Sequence, residues 1–387
     1  MKRICVVTGT RAEYGLLKPL IDRIHEDNEL ILQLVATGAH LSPEFGLTHQ
    51  LIEKDGYHID EKVEILLSSD TPIGITKSMG LAMISFSEVF DRITPDFVLI
   101  LGDRYEMLSV SIAAMMANLP IIHLHGGETT EGAVDESIRH SITKQSYLHF
   151  TSTEEYRKRV VQLGENPKRV FNVGAIGIEN IKNLELLTKE ALEESIQFTL
   201  DKPFALCTFH PVTMEFSTSK EQFLELLEAL NLLDMKVIFT KANADTDGRI
   251  INQLIDKYVA ENLAKAIAFN SMGQLKYLSA MKHCSFVIGN SSSGIIEAPS
   301  FCVPTINIGD RQRGRIQAES VINCEAKTEN ILKAVKKSKT LEFRNQLREV
   351  ENPYGTGEVS SEIISILKDH ISNKRVDLKK EFYEVKV

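Results

Sequence analysis

Five short segments of this chain concentrate side chains able to do chemistry, and each directly follows a run of apolar, β-branched residues. The first is Thr8-Gly9-Thr10-Arg11-Ala12-Glu13, where a glycine permits a tight turn and a helix start beside Arg11 offers amides and a cation to an anion. A capped helix with a surface arginine is the plain alternative. The second is Gly102-Asp103-Arg104, whose carboxylate suits a general base, a ribose ligand or a helix N-cap. The third is the densest: His123-Leu124-His125-Gly126-Gly127-Glu128, then Glu131, Asp135, Glu136, Arg139 and His140. Two glycines let backbone approach a ligand closely, and the i, i+3, i+4 spacing puts Asp135, Glu136, Arg139 and His140 on one helix turn. General acid–base chemistry fits this set. The fourth is Phe209-His210-Pro211-Val212-Thr213, a histidine at a strand end. The fifth is Gly289-Asn290-Ser291-Ser292-Ser293-Gly294 with Glu297 one turn later. Small hydroxyl residues between strand and helix supply N–H and O–H donors for a diphosphate, and Glu297 can accept from ribose hydroxyls. Arg311, Arg313 and Arg315 follow the next strand and add positive charge.

Several chemistries are disfavoured. The histidines and carboxylates of the third segment match neither H-E-x-x-H nor another metal-ligand ladder. A G-x-G-x-x-G fingerprint is absent, which speaks against NAD, and a Walker A Gly-Lys-Ser/Thr is absent, which speaks against triphosphate hydrolysis. A net charge of -9 does not suit a general nucleic-acid binder, although a nucleotide needs only local cations. Cys5, Cys207, Cys284, Cys302 and Cys324 are odd in number and show no C-x-x-C pair, as expected of reduced, packed thiols in a cytoplasmic protein. The first apolar run is too short for a signal peptide or a membrane span.

Elements that position these residues follow from hydrophobic pattern. Strands are predicted over 3–8, 31–37, 97–101, 120–124, 147–151 and 170–173 in the first half, and over 204–209, 236–240, 266–269, 286–288, 305–308 and 321–324 in the second. Several are continuously apolar, as parallel strands covered on both faces must be. Amphipathic helices are predicted over 14–26, 76–92, 104–117, 154–163, 220–232 and 249–261, with 180–200 read as a helix of the second domain and 358–369 as the last. Alternation of this kind makes an α/β fold of doubly wound sheets, and twelve strands call for two of them. The expected domains are 1–178, carrying the first three polar segments, and 179–357, carrying the last two; 358–387 holds the last helix and a charge-rich, frayed tail.

The segments, taken together and in order, resemble the hydrolysing UDP-N-acetylglucosamine 2-epimerases of sialic-acid and legionaminic-acid biosynthesis over nearly the whole chain. The resemblance rests on Gly9-Thr10-Arg11-Ala12-Glu13, Gly102-Asp103-Arg104, Gly126-Gly127-Glu128 with Asp135 and Ser137-Ile138-Arg139-His140, His210-Pro211-Val212-Thr213, and Gly289-Asn290-Ser291-Ser292. It implies a GT-B architecture of two Rossmann-like domains with an interdomain cleft. It also implies UDP-sugar as substrate, no cofactor or metal, no nucleic-acid or membrane partner, and a homodimer or homotetramer. Carried onto this chain, Asp103, His125, Glu128, Asp135 and His210 are the catalytic candidates. Arg11, His40, Arg104, Glu136, Arg139, Asn243, Met272, Asn290, Ser291, Ser292, Ser293, Gly294, Glu297 and Arg315 are the candidates for holding the sugar and UDP.

The family's chemistry is anti-elimination of UDP to a 2-acetamidoglucal, then syn addition of water, here expected on UDP-N-acetylglucosamine to give N-acetylmannosamine. One departure from the pattern is His125, which stands where a catalytic glutamate does in well-known relatives. In this feature the chain looks more like N,N'-diacetylbacillosamine 2-epimerases, so the same reaction on UDP- or GDP-N,N'-diacetylbacillosamine is the alternative. A GT-B glycosyltransferase shares the fold but needs an acceptor. A non-hydrolysing 2-epimerase carries His-Arg-Arg-Glu where this chain has His210-Pro211-Val212-Thr213.

Overall fold

Apolar runs long enough to be covered on both faces become parallel strands, and this chain builds two sheets of them. The computed structural model describes all residues except 68, 70, 132, 212–217, 243–247, 374–375 and 386–387. The first sheet holds β1 (Lys2–Thr8), β2 (Leu30–Thr37), β3 (Glu61–Val63), β4 (Phe97–Leu101), β5 (Ile121–Leu124), β6 (Leu148–Thr151) and β7 (Val170–Asn172), in the order β3-β2-β1-β4-β5-β6-β7. The second holds β8 (Phe204–Thr208), β9 (Lys236–Thr240), β10 (Ala266–Phe269), β11 (Phe286–Gly289), β12 (Thr305–Ile308) and β13 (Val321–Cys324), ordered β10-β9-β8-β11-β12-β13. Every pairing described is parallel. These are Rossmann-like sheets of the GT-B class, and in each the strand order reverses once, between β1 and β4 and between β8 and β11. Ligands of open α/β sheets collect beyond the carboxyl ends of the strands at such a reversal.

The chain divides into two compact units. One comprises Met1–Glu128, Asp135–Lys182 and Tyr354–Val387; the other comprises Thr129–Val134 and Asn183–Pro353. Each sheet has an apolar layer on both faces. In the first unit, Ile4, Leu34 and Leu99 pack on one face, and Cys5, Val98 and Ile100 on the other. In the second, Cys207, Phe239 and Ile288 point one way, and Leu206, Ile238 and Val287 the other. Burying alternate residues on both sides is why the strands read as unbroken apolar runs rather than as alternations.

Three sequence expectations differ from the structure. Among the described residues there are thirteen strands, not twelve; β3 is a three-residue edge strand, Glu-Lys-Val, too short and too charged to register as apolar. The single helix expected over 180–200 is two, Ile176–Asn183, in the first unit as far as Lys182, and Lys189–Ile196 in the second, because the Thr188 hydroxyl accepts from Ala191 N–H and starts a new helix. The tail expected to fray is docked instead: Lys380 ion-pairs the buried Glu165, and Tyr383 N–H donates to the Gly164 carbonyl at 2.9 Å. The helix Val359–Asn373 before it belongs to the first unit, where Val359, Ile363 and Leu367 enter the core and Lys368 pairs with Asp27 at 3.0 Å.

Candidate active site

In the first unit the residues after β1, β4 and β5 form one polar network. Beyond β1, the Glu13 carboxylate accepts Gly9 N–H at 2.7 Å and Thr10 N–H at 3.1 Å, while Thr10 Oγ1 accepts Glu13 N–H at 3.3 Å. This capping box opens the Arg11–Glu26 helix. Burial pushes the Glu13 carboxyl up to about 7, against the pull of the nearby Arg104 cation. Arg104 Nε donates to Glu106 Oε1 at 3.2 Å, and Glu106 is buried. Burial also lowers the Arg11 guanidinium below its usual value.

Arg139 organises the centre of this network. It lies on the Asp135–Gln145 helix and is 1 % exposed, yet it meets three acceptors: Asp103 through Nη2, and Glu136 Oε2 at 3.0 Å and the Glu128 carbonyl at 2.8 Å through Nη1. A guanidinium fork suits such work because its donors are planar and fixed. About a quarter of the Asp103 and Glu136 side chains remains exposed, so both carboxylates are tethered but accessible. His140 Nε2 pairs with the other Glu136 oxygen at 3.0 Å. The helix turn expected to bring Glu136, Arg139 and His140 together does so. Asp135 stands at the start of the same helix, half-buried.

The glycine pair after β5 does structural work. Gly127 has φ +79°, and a Cβ there would collide with the Tyr156 carbonyl. His125 sits in the left-handed region at φ +64°, held by its N–H to the Phe150 carbonyl at 2.8 Å. Its ring is engaged on both edges: Nε2 accepts Ile176 N–H at 3.3 Å, which leaves Nδ1–H to donate to Glu128 Oε1 at 3.0 Å. The Ser152 hydroxyl donates to the same oxygen at 2.7 Å, and Glu128 is buried. A ring so occupied orients the Glu128 carboxylate.

In the second unit, β8 and β11 end side by side, with Thr208 in register with Gly289. Gly289 has φ +130°, and a Cβ would run into the Thr208 carbonyl, so only glycine lets the chain turn here. Asn290 then brackets His210: Oδ1 accepts His210 N–H at 2.7 Å and Nδ2 donates to the His210 carbonyl at 2.8 Å. The Asn290 carbonyl accepts from Arg311 Nη1 at 3.1 Å and Gln312 Nε2 at 2.8 Å. Ser291 caps the short Ser292–Ile296 helix, its hydroxyl accepting Ser293 N–H at 3.4 Å. The Ser293 hydroxyl donates to Glu297, whose carboxyl burial pushes up to about 7. Ser291, Ser292, Ser293 and Arg315 are all half-buried.

Other expected ligand residues also have partners within the chain. His40 is fully buried; Nε2 donates to Thr8 Oγ1 at 3.1 Å and Nδ1 accepts from Thr48 Oγ1 at 2.9 Å, since the Thr8 hydroxyl already donates to the Thr10 carbonyl. Burial lowers its pKa to about 4, so it is neutral and has no free edge for a sugar. Likewise His123 is buried, donates from Nε2 to the Gly102 carbonyl at 2.7 Å, and is held down to about 3. Met272 packs in the second unit's core, Gly294 gives its carbonyl to the Thr305 hydroxyl at 2.7 Å, and the Asn290 side chain serves as a bracket. Asn243, Val212 and Thr213 lie outside the described residues. Glu131 is exposed and pairs with Arg313 at 3.2 Å within the second unit. Glu106 was missed by sequence reasoning, although a lone charge among the apolar residues of the Tyr105–Met116 helix was its signal.

Among the described residues no helix is long and apolar enough to cross a membrane, and no group of His, Cys, Asp and Glu side chains is arranged to hold a metal ion.

Known proteins resemble this chain over most of its length. The family model described as UDP-N-acetylglucosamine 2-epimerase matches residues 22–368. A GDP/UDP-N,N'-diacetylbacillosamine 2-epimerase (hydrolyzing) from Campylobacter jejuni is 48 % identical over 344 residues, 89 % of each chain. Polysialic acid biosynthesis protein P7 from Escherichia coli is 41 % identical over 387 residues, 100 % of this chain and 98 % of that one. Among solved structures, the UDP-GlcNAc 2-epimerase from Neisseria meningitidis bound to UDP-GlcNAc has a TM-score of 0.78 at 19 % identity, covering 95 % of this chain and 100 % of that one.

Proposed function

From the premise that the chain belongs to the UDP-N-acetylglucosamine 2-epimerase family, as a hydrolysing 2-epimerase of nucleotide sugars, we infer that its substrate is UDP- or GDP-N,N'-diacetylbacillosamine. The 48 % identity to a relative of that name supports this choice over UDP-N-acetylglucosamine. A second reading keeps UDP-N-acetylglucosamine as substrate and N-acetylmannosamine as product. It is favoured by the family's description and by the full-length relative named for polysialic acid.

One observation carries the reaction itself: Asp103 and Glu136 are fixed by a buried guanidinium yet keep solvent-accessible oxygens at the carboxyl end of a sheet. The proton on C2 of a 2-acetamido sugar is barely acidic, so its removal must be coupled to departure of the diphosphate from C1. Asp103 and Asp135 are assigned to this centre, one accepting the C2 proton and the other stabilising positive charge that develops at C1, as paired carboxylates do in glycosidases. The C1–O bond breaks, the electron pair leaves with the nucleoside diphosphate, and a glycal forms. Water then adds across the double bond, its hydroxyl to C1 and its hydrogen to C2 on the face opposite the original. The product is the free 2-epimerised sugar. Glu128, oriented by His125 and Ser152, supports the same chemistry by fixing the loop whose carbonyl Arg139 holds.

The leaving group needs hydrogen-bond donors and positive charge. In the second unit the Ser291 and Ser292 hydroxyls, with Arg315, are assigned to the diphosphate and Glu297 to the ribose hydroxyls. Incubating the protein separately with UDP-GlcNAc, UDP-diacetylbacillosamine and GDP-diacetylbacillosamine, and resolving the products by chromatography, tests the assignment. Free sugar and nucleoside diphosphate in equal amounts, fastest from a diacetylbacillosamine donor, is the expected result. Preference for UDP-GlcNAc selects the second reading. Diphosphate release only after an acceptor is added would make the protein a transferase.

A further inference from the structure

The Asp135–Gln145 helix presents Asp135, Glu136, Arg139 and His140 from its amino-terminal half, and its other end is held by a residue more than two hundred positions later. The last carbonyls of a helix lack intrahelical partners. Here the Ile142 carbonyl takes the Ser146 hydroxyl at 2.7 Å, and the Thr143 carbonyl takes Ser146 N–H at 3.2 Å. The Lys144 and Ser146 carbonyls both take Lys380 Nζ, each at 2.8 Å. The third donor of that ammonium meets Glu165 Oε2 at 2.6 Å. Glu165 is 2 % exposed and also binds Lys144 Nζ at 2.6 Å and His149 Nε2 at 3.1 Å.

The tail around Lys380 is docked by further contacts. Phe382 lies against Gly164, where a Cβ would strike its ring, and Lys144 Nζ sits 5.2 Å from the same ring. Arg169 Nη2 donates to the Asp377 carbonyl at 3.3 Å.

We propose that Lys380 is a positioning residue for the reaction, pinning the carboxyl end of this helix so that Arg139 holds Asp103 and Glu136 in reactive register. Two of the ammonium donors take carbonyls at this end and the third ties them to Glu165, and a cation there also complements the helix dipole. An eleven-residue helix is about 16 Å long at a 1.5 Å rise per residue, so a few degrees of tilt about its pinned end moves the Arg139 turn by several tenths of an ångström. Misplacement by about 1 Å can lower turnover about a hundredfold. Lys380, Glu165 and the helix end they hold all belong to the first unit, so turnover and nucleotide affinity separate.

The turnover readout rests on the function proposed above; the anchoring readout does not. Full-length Lys380→Met and Lys380→Arg are compared with the unchanged protein well below their melting temperatures. Turnover of the preferred nucleotide sugar, UDP affinity, and hydrogen exchange of amides 139–145 are measured on each. Lys380→Met is expected to lower kcat at least tenfold, leave KM and UDP affinity within twofold, and speed exchange in the helix. Lys380→Arg, which keeps charge and several donors, is expected to recover kcat to within threefold. A kcat loss below twofold, a parallel loss of UDP affinity, or unchanged helix exchange overturns the proposal. Should Lys380→Met not fold, Phe382→Ala undocks the tail with the charge retained and is read by the same criteria. If the unchanged protein turns over none of the nucleotide sugars, the functional reading fails, and unaltered helix exchange in Lys380→Met still overturns the anchoring.

Discussion

Replacing Glu297 by glutamine separates what this carboxylate contributes to function from what it does to stability. Burial raises its carboxyl from the usual 4.5 to about 7, although the Ser293 hydroxyl donating to it acts in the opposite sense. Between those two values the folded chain keeps a proton that the unfolded chain releases. Stability attributable to this group is therefore greatest at low pH and drains away as pH rises toward 7. At 1.36 kcal/mol per pKa unit the loss is about 3 kcal/mol at pH 8 and under about 1 kcal/mol at pH 5. A neutral glutamine of the same shape suffers no such loss. Glu297→Gln is thus expected to gain about 2–3 kcal/mol over the unchanged protein between pH 5 and pH 8, read by urea denaturation with circular dichroism and without nucleotide. Glu13, also raised to about 7, is present in both proteins and cancels in the comparison. The same variant is expected to bind UDP at least tenfold more weakly at pH 8, because two ribose hydroxyls lose a charged acceptor. A stability difference that does not change with pH would refute the linkage, and unchanged UDP affinity would remove Glu297 from the ribose site.

Other substitutions probe the first unit and the turn in the second. Asp103→Asn and Asp135→Asn are each expected to reduce turnover at least a hundredfold while UDP binding, by calorimetry, stays within threefold; near-normal rates in both would remove them from the reacting centre. Arg139→Met leaves Asp103 and Glu136 without their shared cation and the Glu128 carbonyl without a donor, a change expected to destabilise by about 3 kcal/mol in thermal melts and to abolish turnover. Gly289→Ala places a methyl group against the Thr208 carbonyl at φ +130°, so a loss of about 3 kcal/mol or more and failure to bind UDP are expected; a melt within 2 °C of the unchanged protein would contradict the geometry.

The scaffold was largely legible because a parallel strand buried on both faces must be almost wholly apolar, as Phe97–Leu101 and Phe204–Thr208 are. What escaped was decided by partners distant in sequence. Nothing local distinguishes His40, which meets Thr8 and Thr48, from a histidine facing a ligand. Asn290 sits inside a phosphate-like motif, yet its amide closes on the His210 backbone. The tail appeared unanchored because its lysines suggest solvent, whereas Glu165, buried more than two hundred residues earlier, requires Lys380 as a counter-charge. Conversely, the i, i+3, i+4 spacing of Glu136, Arg139 and His140 carried its geometry on its face, because a helix fixes which side chains are neighbours.

Elimination followed by hydration makes one demand that no simple hydrolysis or glycosyl transfer shares: the hydrogen at C2 of the product must come from solvent. The preferred donor is therefore incubated with the protein in deuterated water, and the sugar released is followed by NMR. Free 2-epimerised sugar carrying one deuterium at C2, formed together with the nucleoside diphosphate, is the outcome predicted. Release of a sugar that retains its original hydrogen and configuration at C2 would contradict it.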